Sequence, residues 1–292
     1  MNGSTKREAV LDGALVVNKP SGPTSHDIVQ TARRFFNSRV GHAGTLDPLA
    51  SGVLVLLLGK ATRLAQFLQQ SDKTYRAVIR LGVTTNTYDR EGDVRSRNPV
   101  PDFSPQELKE TLQSFAGQIE QRPPMFSAVR VDGERLYEKA RRGETVERKA
   151  RAVSIHSIEL VELTGTDLVI QVECSAGTYV RVLAHEIGKK LGCGACLVEL
   201  CRLQAGDHVL ADAVPLSDLS RPPSAGFKGM DLLLPSFPRI DLPEELARRV
   251  RHGSPVRFPG AADYCRLFHN HSLIAIARGT GEVAQPVVVF PD

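Results

Sequence analysis

Apolar and polar residues alternate through KTYRAVIRLG (73–82), the two-residue period of a strand with one buried face. The unbroken run VLVLLLG (53–59) predicts a buried strand, and ALVVNKP (14–20) a strand stopped by Pro20. In SHDIVQTARRFF (25–36), Ile28, Ala32 and Phe35 recur at helical spacing, and Ser25 is the expected N-cap. KATRLAQFLQQ (60–70) predicts a short helix. SPQELKETLQSFAG (104–117) carries a full set of helix signals: Ser104 as cap, Pro105 at the first position, Glu107 completing a capping box and Gly117 as the stop. ARAVSIHSIELVEL (150–163) and DLVIQVECSAG (167–177) predict strands joined by the turn Thr164-Gly165-Thr166, and TYVRVLAHEIGKKLG (178–192) predicts an amphipathic helix ended by Gly192.

Residues 211–238 hold five prolines around the short helix signal MDLLLP and read as a connecting region. From Pro238 a new unit begins, with a short helix over PEELARRVRHG (243–253) and then short strands between Gly and Pro. Strands and helices mix without regular βαβ alternation, which predicts an α+β fold rather than a doubly wound sheet.

At 292 residues, 41% of them hydrophobic and 24% charged, the chain suffices for one large or two ordinary domains with a sizeable core. The net charge is +4 and the pI about 8.8, a mild excess that permits a nucleic-acid partner without requiring one. Most of it lies in Arg130–Arg151, where eight Lys/Arg face five acids. Val53–Leu58, the longest apolar run, is too short to span a bilayer, and MNGSTKREAVLDG lacks the apolar core of a secretory signal. A cytoplasmic protein without membrane contact is expected. Five cysteines, an odd number, do not suggest a disulfide framework. Cys193-Gly-Ala-Cys196 is half a zinc site, with no second CxxC, so small buried residues in a glycine-rich turn before a strand is the preferred reading and no metal is expected.

GHAGTLDPLASGVL (41–54) raises the chemical question. Asp47 stands there with few polar neighbours, on a loop running into an apolar strand. The sequence contains no GxxxxGKS/T, no GxGxxG in a strand–turn–helix context, no HExxH and no GxSxG, which removes several common enzyme classes. An Asp in a loop more often caps a helix or pairs with an Arg. Here Gly41 and Gly44 allow close backbone approach or positive φ, and Pro48 fixes φ directly after the acid. Such stiffness suits catalysis by one carboxylate.

The same stretch resembles the catalytic motif of the bacterial tRNA pseudouridine-55 synthase (TruB) family, and other segments match in family order. NKPSGPTSHDIV (18–29) resembles the KPxGxTS motif, and SDKTYRAVIRLGVTTNTYDREG (71–92) the DKxY strand with its TxTxD loop. RPPMFSAVRVDGERLYEKARRG (122–143) is similar to an RNA-clamping insertion, and CSAGTYVRVLAHEIGKKLGCGACLVELCR (174–202) to the GTYIR helix and following strand. The matches cover about residues 14–205. The resemblance implies a mixed, mainly antiparallel sheet flanked by helices in residues 1–237, with the insertion at about 122–152, and a small β-rich PUA-like domain in 238–292. It implies isomerisation of uridine to pseudouridine in the tRNA T-loop, with the target base flipped out and no metal or cofactor. Asp47 would act at the ribose, Arg181 would pair with it, and Tyr75 would stack on the uracil and help remove its C5 proton. His42 would fill the space the uridine vacates. Lys19, Tyr179 and Leu200 match further substrate-binding positions, and Arg130, Arg141, Arg142, Arg148, Lys149 and Arg202 would contact RNA. A monomer without an obligate protein partner is expected. Two departures stand out: Cys201-Arg202 replaces a common pair of arginines, and Ala43 stands where Thr is common.

Two alternatives remain. A guide-dependent relative from box H/ACA ribonucleoproteins shares the PUA module, but its loop usually reads differently after Asp-Pro than Leu49-Ala50-Ser51-Gly52 does here. A non-catalytic RNA-binding or tRNA-folding protein could keep the basic insertion and the terminal module, with no reason to hold Asp47, Tyr75 and Arg181 in their motifs.

Overall fold

The computed structural model describes residues 11–127, 129–131, 133–219, 225–257, 260 and 263–291, with the backbone alone of Arg130 and Arg135. β1 (Gly13–Lys19) leads into helix α1 (Ser25–Phe35), and β2 (Val40–His42) and β3 (Ala50–Leu58) flank the Asp47 loop. A 3-10 turn (Gly59–Leu64) and the one-turn helix α2 (Ala65–Leu68) stand where a single short helix was expected. There follow β4 (Lys73–Leu81), β5 (Val83–Thr85), β6 (Val94–Arg97), α3 (Pro105–Gln113) and β7 (Gly117–Gln121). The basic segment forms β8 (Arg130–Val131), β9 (Glu134–Arg135) and α4 (Leu136–Arg141). Next come β10 (Arg151–Thr164), β11 (Asp167–Cys174), α5 (Val180–Lys190), β12 (Ala195–Ala205), β13 (His208–Val209), β14 (Val214–Pro215) and β15 (Phe227–Gly229). The chain ends in β16 (Arg239–Asp241), α6 (Glu244–Arg251), β17 (Val256–Arg257), β18 (Tyr264–His269), β19 (Ser272–Thr280) and β20 (Val283–Val289).

Among the described residues, eleven strands join into one sheet in the order β14-β1-β3-β12-β4-β11-β10-β7, with β15 on β1, β2 on β3 and β13 on β12. Only β1–β14 and β3–β12 are parallel, so the sheet is mixed and mainly antiparallel, as expected. The alternation in β4 has its predicted effect: Tyr75, Ala77, Ile79 and Leu81 are buried in one apolar cluster with residues of α1, α3 and α5. Each such leucine or isoleucine contributes about 1.5–3 kcal/mol through burial. A second sheet, β16-β18-β19-β20-β17, curls into the PUA-like part of the α+β fold. Phe268, Ile276 and Phe290 from this part share an apolar cluster with Leu57, Leu64 and Phe67.

Two local expectations change. The α1 cap is Thr24, not Ser25: the Thr24 hydroxyl accepts from the Asp27 N–H, and the Asp27 carboxylate accepts from the Thr24 N–H. This reciprocal box satisfies two free donors and leaves Ser25 available elsewhere. α3 has its predicted Ser104–Glu107 box but ends at Gln113, and Gly117, at φ +94°, opens β7 instead. Cys193 is buried in the turn leading into β12, between glycines at φ +78° and +75°, and Cys196 is buried at the start of β12 itself. Among the described residues, no helix is long and apolar enough to cross a membrane.

Candidate active site

The parallel pairing of β3 with β12 sets Leu200, Cys201 and Arg202 beside Ala50, Ser51 and Gly52. It brings together two segments about 150 positions apart in the chain. The Asp47 loop enters β3 at this junction and is tied down on three sides.

Ser25 provides the first tie: its hydroxyl accepts from the Leu46 N–H at 2.8 Å and lies 3.0 Å from the Leu46 carbonyl. Lys19 provides the second. Its side chain is fully buried, and its ammonium donates to the carbonyls of Pro20 (2.8 Å), Pro23 (2.7 Å) and Pro48 (3.3 Å). Arg202 provides the third, donating from Nε to Val53 O at 2.7 Å, from Nη2 to Gly44 O at 3.0 Å and from Nη1 to Thr45 O at 3.4 Å. Gly44 adopts φ +101° and Gly52 φ +99°, and a Cβ at Gly52 would collide with the Arg202 backbone. Glycine is required at such a close approach.

Both side chains serve the loop: Lys19 spends its three donors on backbone carbonyls, and Arg202, 1% exposed, braces the loop from the cleft wall. Burial lowers the Lys19 pKa to about 8.

The loop delivers Asp47 to a cleft of about 350 Å³, whose lining includes Tyr75, Tyr179, Arg181, Leu200 and Arg202. Arg181, in the first turn of α5, places Nη2 at 3.1 Å from Asp47 Oδ2, the pairing that the family resemblance implies. The same Nη2 donates to the Phe126 carbonyl at 2.7 Å. Nη1 faces Asp89 Oδ2 at 3.4 Å. Asp89, 3% exposed, is a residue that sequence reasoning missed. Its Oδ1 accepts from the Thr87 hydroxyl at 2.6 Å and the Glu91 N–H at 3.1 Å, so the carboxylate is fixed before it meets Arg181. The available signal was the TxTxD loop itself, whose Asp89 forms an Asx turn onto the Glu91 N–H.

Asp47 keeps 35% of its side chain open to the cleft. Desolvation by the surrounding protein raises its pKa, Arg181 opposes the rise, and Asp89 adds to it. Tyr75 is 8% exposed at the cleft wall, and burial raises the pKa of its hydroxyl, which lies near the Arg202 guanidinium. The phenol therefore stays protonated at neutral pH. Tyr179 caps α5 through its backbone: Gln121 Oε1 accepts from its N–H at 2.9 Å, and the Arg181 guanidinium lies 5.9 Å from its ring centroid.

His42 lies at the end of β2, half-buried and outside the cleft lining, and burial lowers its pKa. Arg141, Arg142 and Lys149 are exposed on the basic segment, and Arg148 donates from Nη1 to the Pro123 carbonyl at 3.2 Å. Arg130 lies on β8, with its side chain outside the described residues. Among the described residues, no group of three His, Cys, Asp or Glu is placed to hold a metal.

Comparison with known proteins places this geometry in a family. Residues 33–180 match the model of the TruB family pseudouridylate synthase N-terminal domain. A tRNA pseudouridine synthase B from Dechloromonas aromatica (strain RCB) is 44% identical over 287 residues, covering 96% of this chain and 94% of the relative. One from Stutzerimonas stutzeri (strain A1501) is 41% identical over 292 residues, with 96% and 94% covered. A chain in the structure of an H/ACA RNP bound to a substrate RNA containing 2′-deoxyuridine superposes with TM-score 0.74 over 100% of this chain and 92% of that one. Its sequence identity is 23%, so that likeness speaks for the fold alone. Since the family model matches half the chain and relatives above 40% identity span nearly all of it, the chain belongs to the TruB family of pseudouridylate synthases and is an isomerase.

Proposed function

We propose that the protein converts uridine 55 in the T-loop of tRNA to pseudouridine, with the target nucleotide flipped into the cleft and Asp47 as the catalytic carboxylate. The observation carrying this reading is the Arg181–Asp47 pair at 3.1 Å in a cleft walled by Tyr75 and Leu200. The tRNA substrate is that named for relatives above 40% identity.

The reaction breaks the N1–C1′ bond, turns the uracil and joins C5 to C1′. C5 loses a proton and N1 takes one up. Bond breaking builds positive charge on the sugar, which an adjacent carboxylate stabilises or traps. Asp47 acts either by attacking C1′ or by taking the C2′ proton to form a glycal; attack at uracil C6 is the older third route. In each case Arg181 favours the ionised acid and orients it. A base inside a stacked loop must first leave the stack, and the Tyr75 ring offers it a new stacking surface. Because its pKa is raised, the Tyr75 hydroxyl acts as a hydrogen-bonding group near C5 rather than as a resident phenolate. The exposed basic segment supplies phosphate contacts.

The test is tritium release from tRNA transcript labelled at uracil C5, without metal or cofactor, followed by mapping of the product. Wild type releases tritium from position 55 and Asp47→Asn does not, while both bind tRNA. Release by Asp47→Asn at the wild-type rate would refute the role of Asp47. Absence of release from a folded, tRNA-binding wild type would favour a guide-dependent enzyme or a non-catalytic RNA binder.

A further inference from the structure

A second cleft, of about 160 Å³, adjoins the first, and Leu200 borders both. Its walls come from the segments that position the two carboxylates of the main site. Leu49 follows Asp47 on the same loop, Ser51 lies at the start of β3, and Arg90 follows Asp89. Side chains alternate along β4 and β12. Where Tyr75 and Arg202 meet in register and turn to the main cleft, Arg76 and Cys201 meet in register and turn to the second.

The backbone around this cleft is fixed. The Ser21 hydroxyl donates to the Leu49 carbonyl at 2.9 Å, the Ser51 hydroxyl to the Leu200 carbonyl at 3.4 Å, and the Arg90 N–H to the Leu197 carbonyl at 2.8 Å. The charges are left unengaged. Arg76, Arg90 and Glu199 line one small space, yet their side chains make no hydrogen bond or ion pair among the described residues. Arg80 on the same strand behaves otherwise, closing its fork on Asp167 with two bonds of 2.7 Å.

We propose that the second cleft binds one phosphodiester of the tRNA. The proposal rests on the tRNA reading above. Two guanidiniums and one carboxylate leave a single positive charge, which matches a single phosphodiester. A guanidinium offers phosphate a planar pair of donors. Cys201, half-buried, lines the same space. Leu200 is the wall the two clefts share, and Arg76, Arg90 and Glu199 are all exposed to solvent, where a phosphate can reach them.

The experiment is a titration of tRNA transcript into the Asp47→Asn protein over a range of KCl concentrations, with Arg76→Gln, Arg90→Gln and the double substitution added to that background. Each single substitution is expected to weaken Kd by about three- to tenfold at about 0.1 M salt, and the double substitution to reduce the slope of log K against log salt by about 0.7–0.9, the value of one phosphate contact. Thermal melting at the parent's temperature establishes that the variants are folded. An unchanged slope in the double variant overturns the proposal, as does a loss of affinity without a change in slope. A slope change worth two contacts also overturns it, because it would mean two independent surface charges. The tRNA reading is judged separately, by whether wild-type protein makes pseudouridine in the same transcript.

Discussion

Asp89 stands behind Arg181: its Oδ2 lies 3.4 Å from Arg181 Nη1, and both side chains are almost fully buried. The guanidinium thus lies between two carboxylates, and only Asp47 has its side chain open to the cleft. Removing one partner of a buried ionic pair strands the remaining charge and costs about 3–5 kcal/mol. The arrangement is therefore stiff, and Asp89 governs both where Arg181 points and how readily Asp47 ionises.

Substituting Asp89 should separate these two effects. Asp89 raises the pKa of Asp47 and Arg181 lowers it. In the proposed mechanism the ionised form of Asp47 is the active one, so activity is expected to fall as pH drops through its pKa. Asp89→Asn removes a raising influence and shifts the acid limb of kcat/KM to lower pH. Arg181→Leu removes a lowering influence and shifts the limb to higher pH. Misplacing the reacting group also lowers the plateau rate of both variants, by about a hundredfold. Tritium release measured across pH checks both signs, and limbs that move together would contradict the arrangement.

Ser25→Ala is expected to loosen the Asp47 loop. The hydroxyl partners the Leu46 N–H, one residue before Asp47, in a buried setting. Leaving that donor without a partner costs about 1–3 kcal/mol. The thermal midpoint should fall by several degrees, as expected for about 2–4 °C per kcal/mol in a chain of this size. kcat should fall with it, while tRNA affinity changes less than twofold. A normal kcat at a lowered midpoint would show that Ser25 supports the fold but not the alignment of Asp47.

What the sequence makes legible is mostly local. The alternation of 73–82 and the Ser104–Glu107 box depend on neighbours within a few positions and appear in the structure as read. The Arg181–Asp47 pair is legible only through the family resemblance, because α5 and the Asp47 loop meet through the sheet. Ser25 is misread as the α1 cap because Thr24, one position earlier, carries the same hydroxyl signal. The bracing by Lys19 and Arg202 is not legible, because a lysine or arginine in a motif gives the same sequence signal whether it meets a ligand or a backbone carbonyl brought near by the fold. All three brace the Asp47 loop. Asp89 escapes because a polar loop hides which of its carboxylates turns inward.

Lys19 should leave a mark on the pH dependence of stability. Burial lowers its pKa from 10.5 to about 8. Between these values the unfolded chain holds a proton that the folded chain has lost, so this group adds stability as pH rises through that window. Relative to Lys19→Met, the wild type should gain stability from about pH 8 to about pH 10.5. Urea denaturation of both proteins at several pH values checks this. A pH-independent difference would mean that the ammonium titrates as an exposed lysine does.

The basic segment offers a graded prediction. Arg142 is already engaged, with Nη2 at 2.9 Å from Glu134 and Nε at 2.7 Å from Glu144. Arg141 instead lies 5.5 Å from the Tyr137 ring centroid and has no carboxylate partner among the described residues. A phosphate must displace two carboxylates to reach Arg142, whereas Arg141 has no such competitor. Arg141→Ala should therefore reduce the salt slope of tRNA binding by about 0.7–0.9, and Arg142→Ala by clearly less. Charge reversal at both positions should weaken binding further and flatten the slope. Equal slopes for the two alanine variants would mean that the Glu134–Arg142–Glu144 cluster opens when tRNA binds. An unchanged slope after double reversal would remove this face from the tRNA interface.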